Sequence, residues 1–499
     1  MHKFDVVIIG SGLGGLLCGN ILSREGFSVC ILEKQSRYGG NLQTFRRGGH
    51  TFETGVHYTG SLGPGQTLHR YWKYFGLMEA LQLQQLDSDG FDIIGFPGGE
   101  FPLAQGFDNF IRQLLPFFPG GFDSLTKYTT RIREVVNAFP LYNLELPDGH
   151  KEHHYTGQSA VEFLNGFSRI MYSSGGIPLS SVLAGNNYLF GGDPVTPLHM
   201  TALISHSFIS GAFRFIGGST RIADLLVQKI QQAGGTIHTR QQVTAISRSN
   251  DIFSLSTASS DIFMADRVIS GIHPAATLSM MPTEIIRPAY ERRITGLKNT
   301  VSSFILYLSL KPGLFPYPNY NYYFHETHDP WNETGFRGEQ WPGMFLLTTG
   351  CTQPGQEFAE TATILTYMQY DETEPWHHTS SGDRGAAYLD FRQQKAERLL
   401  QLVFRRFTGL KNAISGMEIS TPLTYRDYTG DPEGSLYGIQ KNFHEPMLTS
   451  VMPRTKVPGF YFTGQNTNLH GLPGVTIGAV ATCGEITGLE YLLKKIKNA

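Results

Sequence analysis

Residues 5–15 read Asp5-Val-Val-Ile-Ile-Gly10-Ser-Gly12-Leu13-Gly14-Gly15, and the run Ile31-Leu32-Glu33-Lys34 follows one helix length later. Residues 6–9 are apolar and β-branched, which is typical of a buried parallel strand. Gly10 permits a tight turn, Gly12 lets the backbone approach a pyrophosphate, and Gly15 lets the following helix pack closely on the strand. The stretch therefore predicts a dinucleotide-binding βαβ unit with the phosphates at the helix N-terminus.

Glu33 ends the second predicted strand, where a carboxylate accepts hydrogen bonds from a ribose diol and disfavours a 2′-phosphate. The unit is thus expected to hold FAD or NAD rather than NADP. The alternative for residues 6–23 is a transmembrane helix, since the stretch carries no charge. Its five glycines and one Asn disfavour a span.

Bulk composition excludes several functional classes. The 499 residues include 40 Lys and Arg against 42 Asp and Glu, so the net charge of −2 offers no footprint for nucleic acid. The four cysteines have no CxxC spacing, which argues against a metal site and fits a reducing cytoplasm. With neither a signal peptide nor a spanning segment recognisable, we expect a cytoplasmic protein whose only membrane contact would be peripheral, on the inner face.

The remaining pattern predicts an alternation of elements around this unit. Residues 77–208 are expected to form a mostly helical insertion, with amphipathic helices at 108–115 and 124–139. A helix is predicted after Gly217-Gly218, with strands at 236–238, 242–246 and 265–274. Strands are also expected at 302–310, 343–347, 362–369 and 459–463, and helices at 389–407 and 475–495.

Several motifs along the chain carry a family resemblance. They include the opening glycine turn, Phe52-Glu-Thr-Gly55-Val-His57-Tyr58-Thr-Gly60, Gly217-Gly218, Asn321-Tyr-Tyr323, Ser420-Thr-Pro422-Leu-Thr with Gly434-Ser-Leu-Tyr437-Gly438, and Phe460-Tyr-Phe-Thr463-Gly464-Gln465. Together they resemble the phytoene desaturase-like flavoproteins over nearly the whole chain. The retinol saturase and carotenoid isomerase branch is the most similar, although the turn at 469–474 looks closer to the desaturases and leaves the reaction direction open.

The resemblance implies an α/β fold. A Rossmann-like FAD-binding domain of the GR2/amine-oxidase type would comprise residues 1–76, 209–276 and 416–499. A discontinuous α+β substrate domain would comprise residues 77–208 and 277–415.

FAD is the cofactor that the resemblance implies. The residues expected to bind it are Gly10, Gly12, Leu13, Gly14, Gly15, Glu33, Lys34, Gly40, Asn41, Val243, Gly464, Gln465, Leu472, Pro473, Gly474 and Val475. A helix that begins near Val475 would point its positive end at the flavin pyrimidine. No second GxGxxG occurs, so a dedicated NAD(P)H domain is not expected, and the electron donor or acceptor stays unidentified.

Candidate proton donors are His57, Tyr58 and His470, each of which could instead be a turn residue bonded to local backbone. The aromatic residues at 315–331 could line a polyene channel or pack in the core. Residues 107–119 could dip into a bilayer or form a buried helix end. The sequence indicates no metal site.

The predicted function is an FAD-dependent oxidoreductase that saturates, desaturates or isomerises carbon–carbon double bonds of a hydrophobic isoprenoid, such as a retinoid or carotenoid. Two alternatives remain open. One is an amine-oxidase-like flavoenzyme, which needs an aromatic sandwich and a substrate nitrogen. The other is a non-enzymatic prenyl-lipid escort protein, which needs no working flavin.

Overall fold

The computed structural model describes residues 2–147, 151–168, 171–467 and 469–499. Its strands are β1 (His2–Ile9), β2 (Val29–Leu32), β3 (Thr44–Arg47), β4 (His50–Glu53), β5 (Thr59–Gly60), β6 (Leu83–Gln85), β7 (Asp92–Phe96), β8 (Gly99–Leu103), β9 (Ala212–Phe215), β10 (Thr236–His238), β11 (Val243–Ser249), β12 (Ile252–Thr257), β13 (Ile262–Ser270), β14 (Ser302–Leu310), β15 (Asn321–His325), β16 (Met344–Thr349), β17 (Thr361–Met368), β18 (Ile414–Ser420) and β19 (Phe460–Phe462).

The α-helices alternate with these strands along the chain. They are α1 (Leu13–Arg24), α2 (Thr67–Tyr74), α3 (Phe107–Leu114), α4 (Phe122–Asn137), α5 (Lys151–Thr156), α6 (Ala160–Ser168), α7 (Leu179–Ala184), α8 (Leu198–Ser210), α9 (Thr220–Gln232), α10 (Pro274–Leu278), α11 (Pro288–Thr295), α12 (Gly385–Phe404), α13 (Leu410–Ala413), α14 (Pro422–Thr429), α15 (Pro446–Thr449), α16 (Gly471–Thr487) and α17 (Leu489–Lys497).

The first sheet is built around the opening strand. Within the described residues it has seven strands in the order β10-β2-β1-β13-β12-β11, and β19 pairs with β13. Strand β1 runs parallel to both β2 and β13, and Val6, Val7 and Ile8 are fully buried. Because a parallel sheet is covered on both faces, this β-branched run forms its centre. The predicted βαβ unit is therefore confirmed.

Helix α1 packs tightly on the glycine turn. A Cβ on Gly15 would lie 2.1 Å from the carbonyl oxygen of Gly10, so only glycine fits there. On one face of the same sheet, α1 packs with residues of α9 and α16 in a single hydrophobic core. This packing fixes the N-terminus of α1 at the carboxyl end of β1.

A second seven-stranded sheet in the described part of the chain has the order β18-β14-β17-β16-β15-β7-β8. Its pairs are antiparallel apart from β15 with β7. The segment 77–208 is therefore less helical than expected, because it contributes β7 and β8 to this sheet as well as helices α3 to α8.

Two further expectations about the chain's organisation need correction. The predicted domain boundary at residue 416 falls inside β18, whose residues pair with β14 of the second sheet. The predicted helix 475–495 begins earlier, at Gly471, and is divided into α16 and α17 at Gly488, where φ is +93°. Pro473 stands in the first turn of α16, where its missing N–H removes no intrahelical hydrogen bond.

Candidate functional site

One elongated cavity of about 690 Å³ runs from the carboxyl ends of β1 and β2 to the space between α8 and the second sheet. This volume is within the range that ligand and cofactor sites occupy. At one end, called here the dinucleotide end, the wall consists of the glycine turn at 10–14 and residues 33–35, 241–244 and 428–431. At the other, called here the inner half, rings and aliphatic side chains of α8, β16, β17 and α14 prevail.

The glycine turn leaves room for a ligand against the backbone. A Cβ on Gly12 would meet no protein atom within 4 Å, and Gly12 is the N-cap of α1 without a side-chain cap. The first N–H groups of a helix have no intrahelical partner. They therefore face the cavity, where a phosphate would accept their hydrogen bonds.

Glu33 is held rigidly beside this turn. Its Oε2 accepts hydrogen bonds from the Ser11 backbone N–H at 3.0 Å and the Ser11 hydroxyl at 2.6 Å, and Oε1 accepts one from the Gln35 N–H at 2.8 Å. The carboxylate is buried yet lines the cavity. Its fixed orientation suits the predicted contact with a ribose diol.

Lys34, Asp431 and Gln465 add charge and polarity at the dinucleotide end. Burial raises the pKa of Asp431 to about 7, against the opposing effects of Lys34 and a hydrogen bond from Gln465 Nε2 at 3.0 Å. Burial also lowers the pKa of Lys34. Sequence reasoning missed Asp431, because nothing in the sequence around Gly430-Asp431 shows that α14 brings it beside β2.

Most of the predicted cofactor residues meet in this one cavity although they are far apart in sequence. Those that line it are Gly10, Gly12, Leu13, Gly14, Glu33, Lys34, Gly40, Asn41, Val243, Gly464, Gln465, Leu472, Pro473 and Val475. Gly15 and Gly474 do not line it. A Cβ on Gly474 would lie 2.6 Å from backbone atoms of Leu469, so these two glycines serve close packing instead.

Helix α16 directs a second N-terminus at the cavity. It begins at Gly471 with His470 as N-cap and no side-chain cap, so its free N–H groups lie beside the lining residues Leu472 and Pro473. Two helix N-termini therefore meet one cavity from opposite ends of the chain. A ligand that carries negative charge at two separated positions would be stabilised by both.

The inner half presents ring faces and aliphatic groups. Its aliphatic wall consists of Leu189, Leu203, Ile204, Leu346, Leu365, Leu436 and Leu469, and its rings are Tyr142, Tyr188, Phe208, Tyr425 and Tyr437. The tyrosine hydroxyls form hydrogen bonds within the protein. Tyr425 donates to the Thr54 carbonyl at 2.9 Å and Tyr437 to the Tyr188 carbonyl at 2.8 Å.

The cavity is lined by all three candidate proton donors, His57, Tyr58 and His470. None of them is in a state to donate a proton readily at pH 7. The Tyr58 hydroxyl bonds to Asp92 Oδ2 at 2.9 Å and to the Tyr323 hydroxyl at 2.6 Å, and burial raises the pKa of Tyr58 well above its usual value. Burial lowers the pKa of His57 to about 4 and that of His470 to about 3. Both imidazoles are therefore neutral at pH 7, and each has a buried Nε2 without a partner.

Two sequence interpretations are resolved by packing. The rings at 315–331 do not line this cavity. Instead Phe315, Tyr322 and Phe324 pack in the core of the second sheet, and Tyr323 supports Tyr58 from behind. In the segment 107–119, Phe110 and Leu114 are buried, so it is a packed helix end rather than an exposed apolar loop.

The charged lining is confined to the dinucleotide end. Among the described residues that line the cavity, the carboxylates are Glu33 and Asp431, both at that end. Within the same described ranges, no group of three or more His, Cys, Asp or Glu is arranged to hold a metal ion. The inner half therefore offers shape, ring faces and two neutral imidazoles.

These features fit FAD better than a mononucleotide. The open backbone at Gly12, the fixed Glu33 and the second helix N-terminus at Gly471 would hold an adenosine, a pyrophosphate and a distant ring along one cavity. The fold and site thus define an FAD-dependent oxidoreductase. The family profile of flavin containing amine oxidoreductases matches residues 13–391, and the chain belongs to this family.

Individual relatives give a finer comparison. The chain is 27% identical to all-trans-retinol 13,14-reductase of Macaca fascicularis, over 96% of this chain and 85% of that protein. It is 22% identical to prolycopene isomerase 2 of an Oncidium hybrid cultivar, over 97% and 83%. The solved structure of cyclohexylamine oxidase from Brevibacterium oxydans is similar in fold, with a TM-score of 0.61 and 16% identity over 100% and 99% of the two chains.

Proposed function

We propose that this protein is an FAD-dependent oxidoreductase that saturates carbon–carbon double bonds of a hydrophobic isoprenoid, such as a retinoid or carotenoid. The observation that carries the proposal is the inner half, an apolar, ring-lined space without a carboxylate among its described residues, continuous with the dinucleotide end. The named activities of the retinol reductase and prolycopene isomerase relatives support the same substrate class. Desaturation or isomerisation of the same bonds is the alternative direction.

The chain's contribution is binding and orientation. Bound FAD supplies hydride transfer to or from carbon. The glycine turn and Glu33 would hold the adenosine and pyrophosphate, and the N-terminus of α16 would stabilise negative charge on the ring system. Leu346, Leu365 and the ring of Tyr437 would hold the polyene in the inner half.

Saturation also needs one proton for the second alkene carbon. Because His57 and His470 are neutral at pH 7 and the Tyr58 hydroxyl is held by Asp92, we propose that water supplies this proton. On this account Tyr58 supports the wall, and its loss would affect stability more than chemistry.

The amine-oxidase alternative rests on the family match and on fold likeness. A buried protonated amine needs a carboxylate to compensate for its lost hydration, because ring faces alone attract it only weakly. The inner half has ring faces, but both lining carboxylates, Glu33 and Asp431, lie at the dinucleotide end. The cavity therefore suits an uncharged polyene better than a cation. The escort-protein alternative is disfavoured because the glycine turn and Glu33 are intact and open to a dinucleotide.

The decisive experiment is an anaerobic incubation of the FAD-loaded protein with all-trans-retinol, carotenoids, putrescine and cyclohexylamine. Each compound is tested with oxidised and with chemically reduced flavin, and products are identified by mass. A gain of two hydrogens by a polyene supports saturation, and a loss of two supports desaturation. Turnover of the amines alone would overturn the proposal.

We further infer that the protein works in the cytoplasm, in peripheral contact with the inner face of a membrane. The four cysteines are free thiols, which supports a reducing compartment. No helix in the described ranges has the length and apolarity needed to cross a bilayer. Met447, Leu448 and Met452 are exposed by 82%, 43% and 59%, and they form a suitable surface for peripheral contact.

A further inference from the structure

His470 carries an unused hydrogen-bonding atom at the inner half of the cavity. The side chain is 4% exposed and lines the cavity, and its ring lies 4.4 Å from the ring of Tyr437. Its Nε2 is buried without a partner. A buried polar atom left unpaired destabilises the protein, so such an atom in a ligand cavity indicates a group that the ligand supplies.

The chemistry of this atom is fixed by its surroundings. The backbone at Leu189 favours the protonated form of the ring, and because Nε2 has no partner we assign the hydrogen to the other ring nitrogen, Nδ1. Burial, together with the nearby Lys441 and His199, keeps the imidazole neutral. Nε2 is therefore a hydrogen-bond acceptor, and its natural partner is an O–H or N–H group.

Among the described residues, no neighbouring protein group supplies that donor. The Tyr437 hydroxyl donates to the Tyr188 carbonyl at 2.8 Å, and the Tyr188 hydroxyl is paired with Ser303 Oγ at 2.5 Å. The ammonium group of Lys441 donates to three backbone carbonyls, and the wall residues Leu189 and Leu469 are aliphatic. Within the described part of the chain, this leaves a molecule in the cavity as the source of the donor.

We infer that His470 is a specificity residue that accepts a hydrogen bond from a hydroxyl at the end of the isoprenoid, so that the enzyme selects an isoprenoid alcohol over a hydrocarbon polyene. This inference rests on the proposed function and narrows its substrate class. A hydrocarbon in the same position would leave Nε2 unpaired. The other candidate donor is the imide N–H of the flavin itself, and the experiment separates the two.

The test compares two probes that differ in one donor, all-trans-retinol and its methyl ether, bound to the full-length FAD-loaded protein. Dissociation constants are measured by quenching of protein fluorescence under anaerobic conditions. The wild-type protein is expected to bind the alcohol about tenfold more tightly than the ether, a ratio that corresponds to about 1.4 kcal/mol. His470→Leu is expected to bring the ratio close to one, and His470→Gln, whose amide oxygen is again an acceptor, to restore part of it.

His199→Leu is the matched control. His199 is a buried, neutral histidine close to His470, it also has an unpartnered ring nitrogen, and it does not line the cavity. Its substitution should leave the alcohol-to-ether ratio unchanged. A specificity role for His470 predicts this difference between the two variants, whereas a general loss of packing does not.

The outcomes are separable. If His470→Leu keeps the wild-type ratio, or if it changes only the flavin absorption spectrum and the FAD affinity, the inference is wrong and Nε2 serves the cofactor. If the wild-type protein binds both probes equally, the inference fails while the proposed function stands. If it binds neither probe nor any carotenoid, the proposed function itself fails.

Discussion

The open space above Gly12 leads to the sharpest structural prediction, for the substitution Gly12→Ala. Gly12 has φ −63° and ψ 174°, a conformation that alanine adopts without strain, and its Cβ would meet no protein atom within 4 Å. The folded protein without cofactor should therefore tolerate the methyl group. Its free energy of unfolding should change by no more than about 0.5 kcal/mol, as is usual for substitutions away from packed contacts.

Binding of FAD should respond differently, because the methyl group would occupy the space where the pyrophosphate approaches the backbone. Crowding by one extra methyl group costs about 1–3 kcal/mol in a packed environment. Applied to the bound state, this corresponds to a loss of FAD affinity of about 5- to 150-fold. The affinity is measured by titrating the cofactor-free protein with FAD, and stability by urea unfolding of the same preparation.

Gly409 provides a matched control for this experiment. It is also the N-cap of a helix, with φ −67°, a Cβ added to it would meet no atom within 4 Å, and it lies outside the cavity wall. Gly409→Ala should change neither FAD affinity nor stability. If Gly12→Ala binds FAD as tightly as the wild type, or if it unfolds without cofactor, the assignment of the glycine turn to the pyrophosphate is refuted.

Three further predictions concern pH, the cavity wall and the surface. Burial lowers the pKa of His199 to about 3, below its unfolded value near 6.5, so its contribution to stability is present above pH 6.5 and is lost as the pH falls. When the pH is lowered from 7 to 5.5, the free energy of unfolding measured in urea should therefore decrease by about 1 kcal/mol less for His199→Leu than for the wild type. Tyr58→Phe should cost about 1–2 kcal/mol of stability by removing a hydrogen bond to the buried Asp92, yet single-turnover product formation should persist, and its abolition would make Tyr58 the proton donor. The double variant Met447→Glu, Met452→Glu should co-sediment less with anionic phospholipid vesicles than wild type does, and equal sedimentation would exclude this surface as the membrane contact.

Much of the fold can be predicted from the sequence because the strongest signals in the sequence are local. The glycine turn and Glu33 occur within one βαβ unit, and β14, α9 and β10 have clear periodicity or glycine boundaries. The sequence predicts the start of α16 near Val475, four residues late, although the proline in its first turn costs no hydrogen bond.

What the sequence could not provide were contacts between distant segments. No local sequence pattern shows that Asp431 lies beside Lys34, or that Asp92 on β7 accepts a hydrogen bond from the Tyr58 hydroxyl. The protonation of His470 was equally hidden. Its low pKa comes from burial and from Lys441 and His199, which only the tertiary structure brings together.

In the proposed function, the inner half holds a polyene beside the reduced flavin, which reduces one of its double bonds. The most direct test is a single turnover without oxygen, in which chemically reduced, FAD-loaded protein is mixed with one equivalent of all-trans-retinol. We expect the flavin to be oxidised and the product to gain two hydrogens in a one-to-one ratio with the flavin. If the flavin stays reduced with retinol and with carotenoids, while putrescine or cyclohexylamine rapidly reduces the oxidised protein, the proposed saturation of polyenes is wrong.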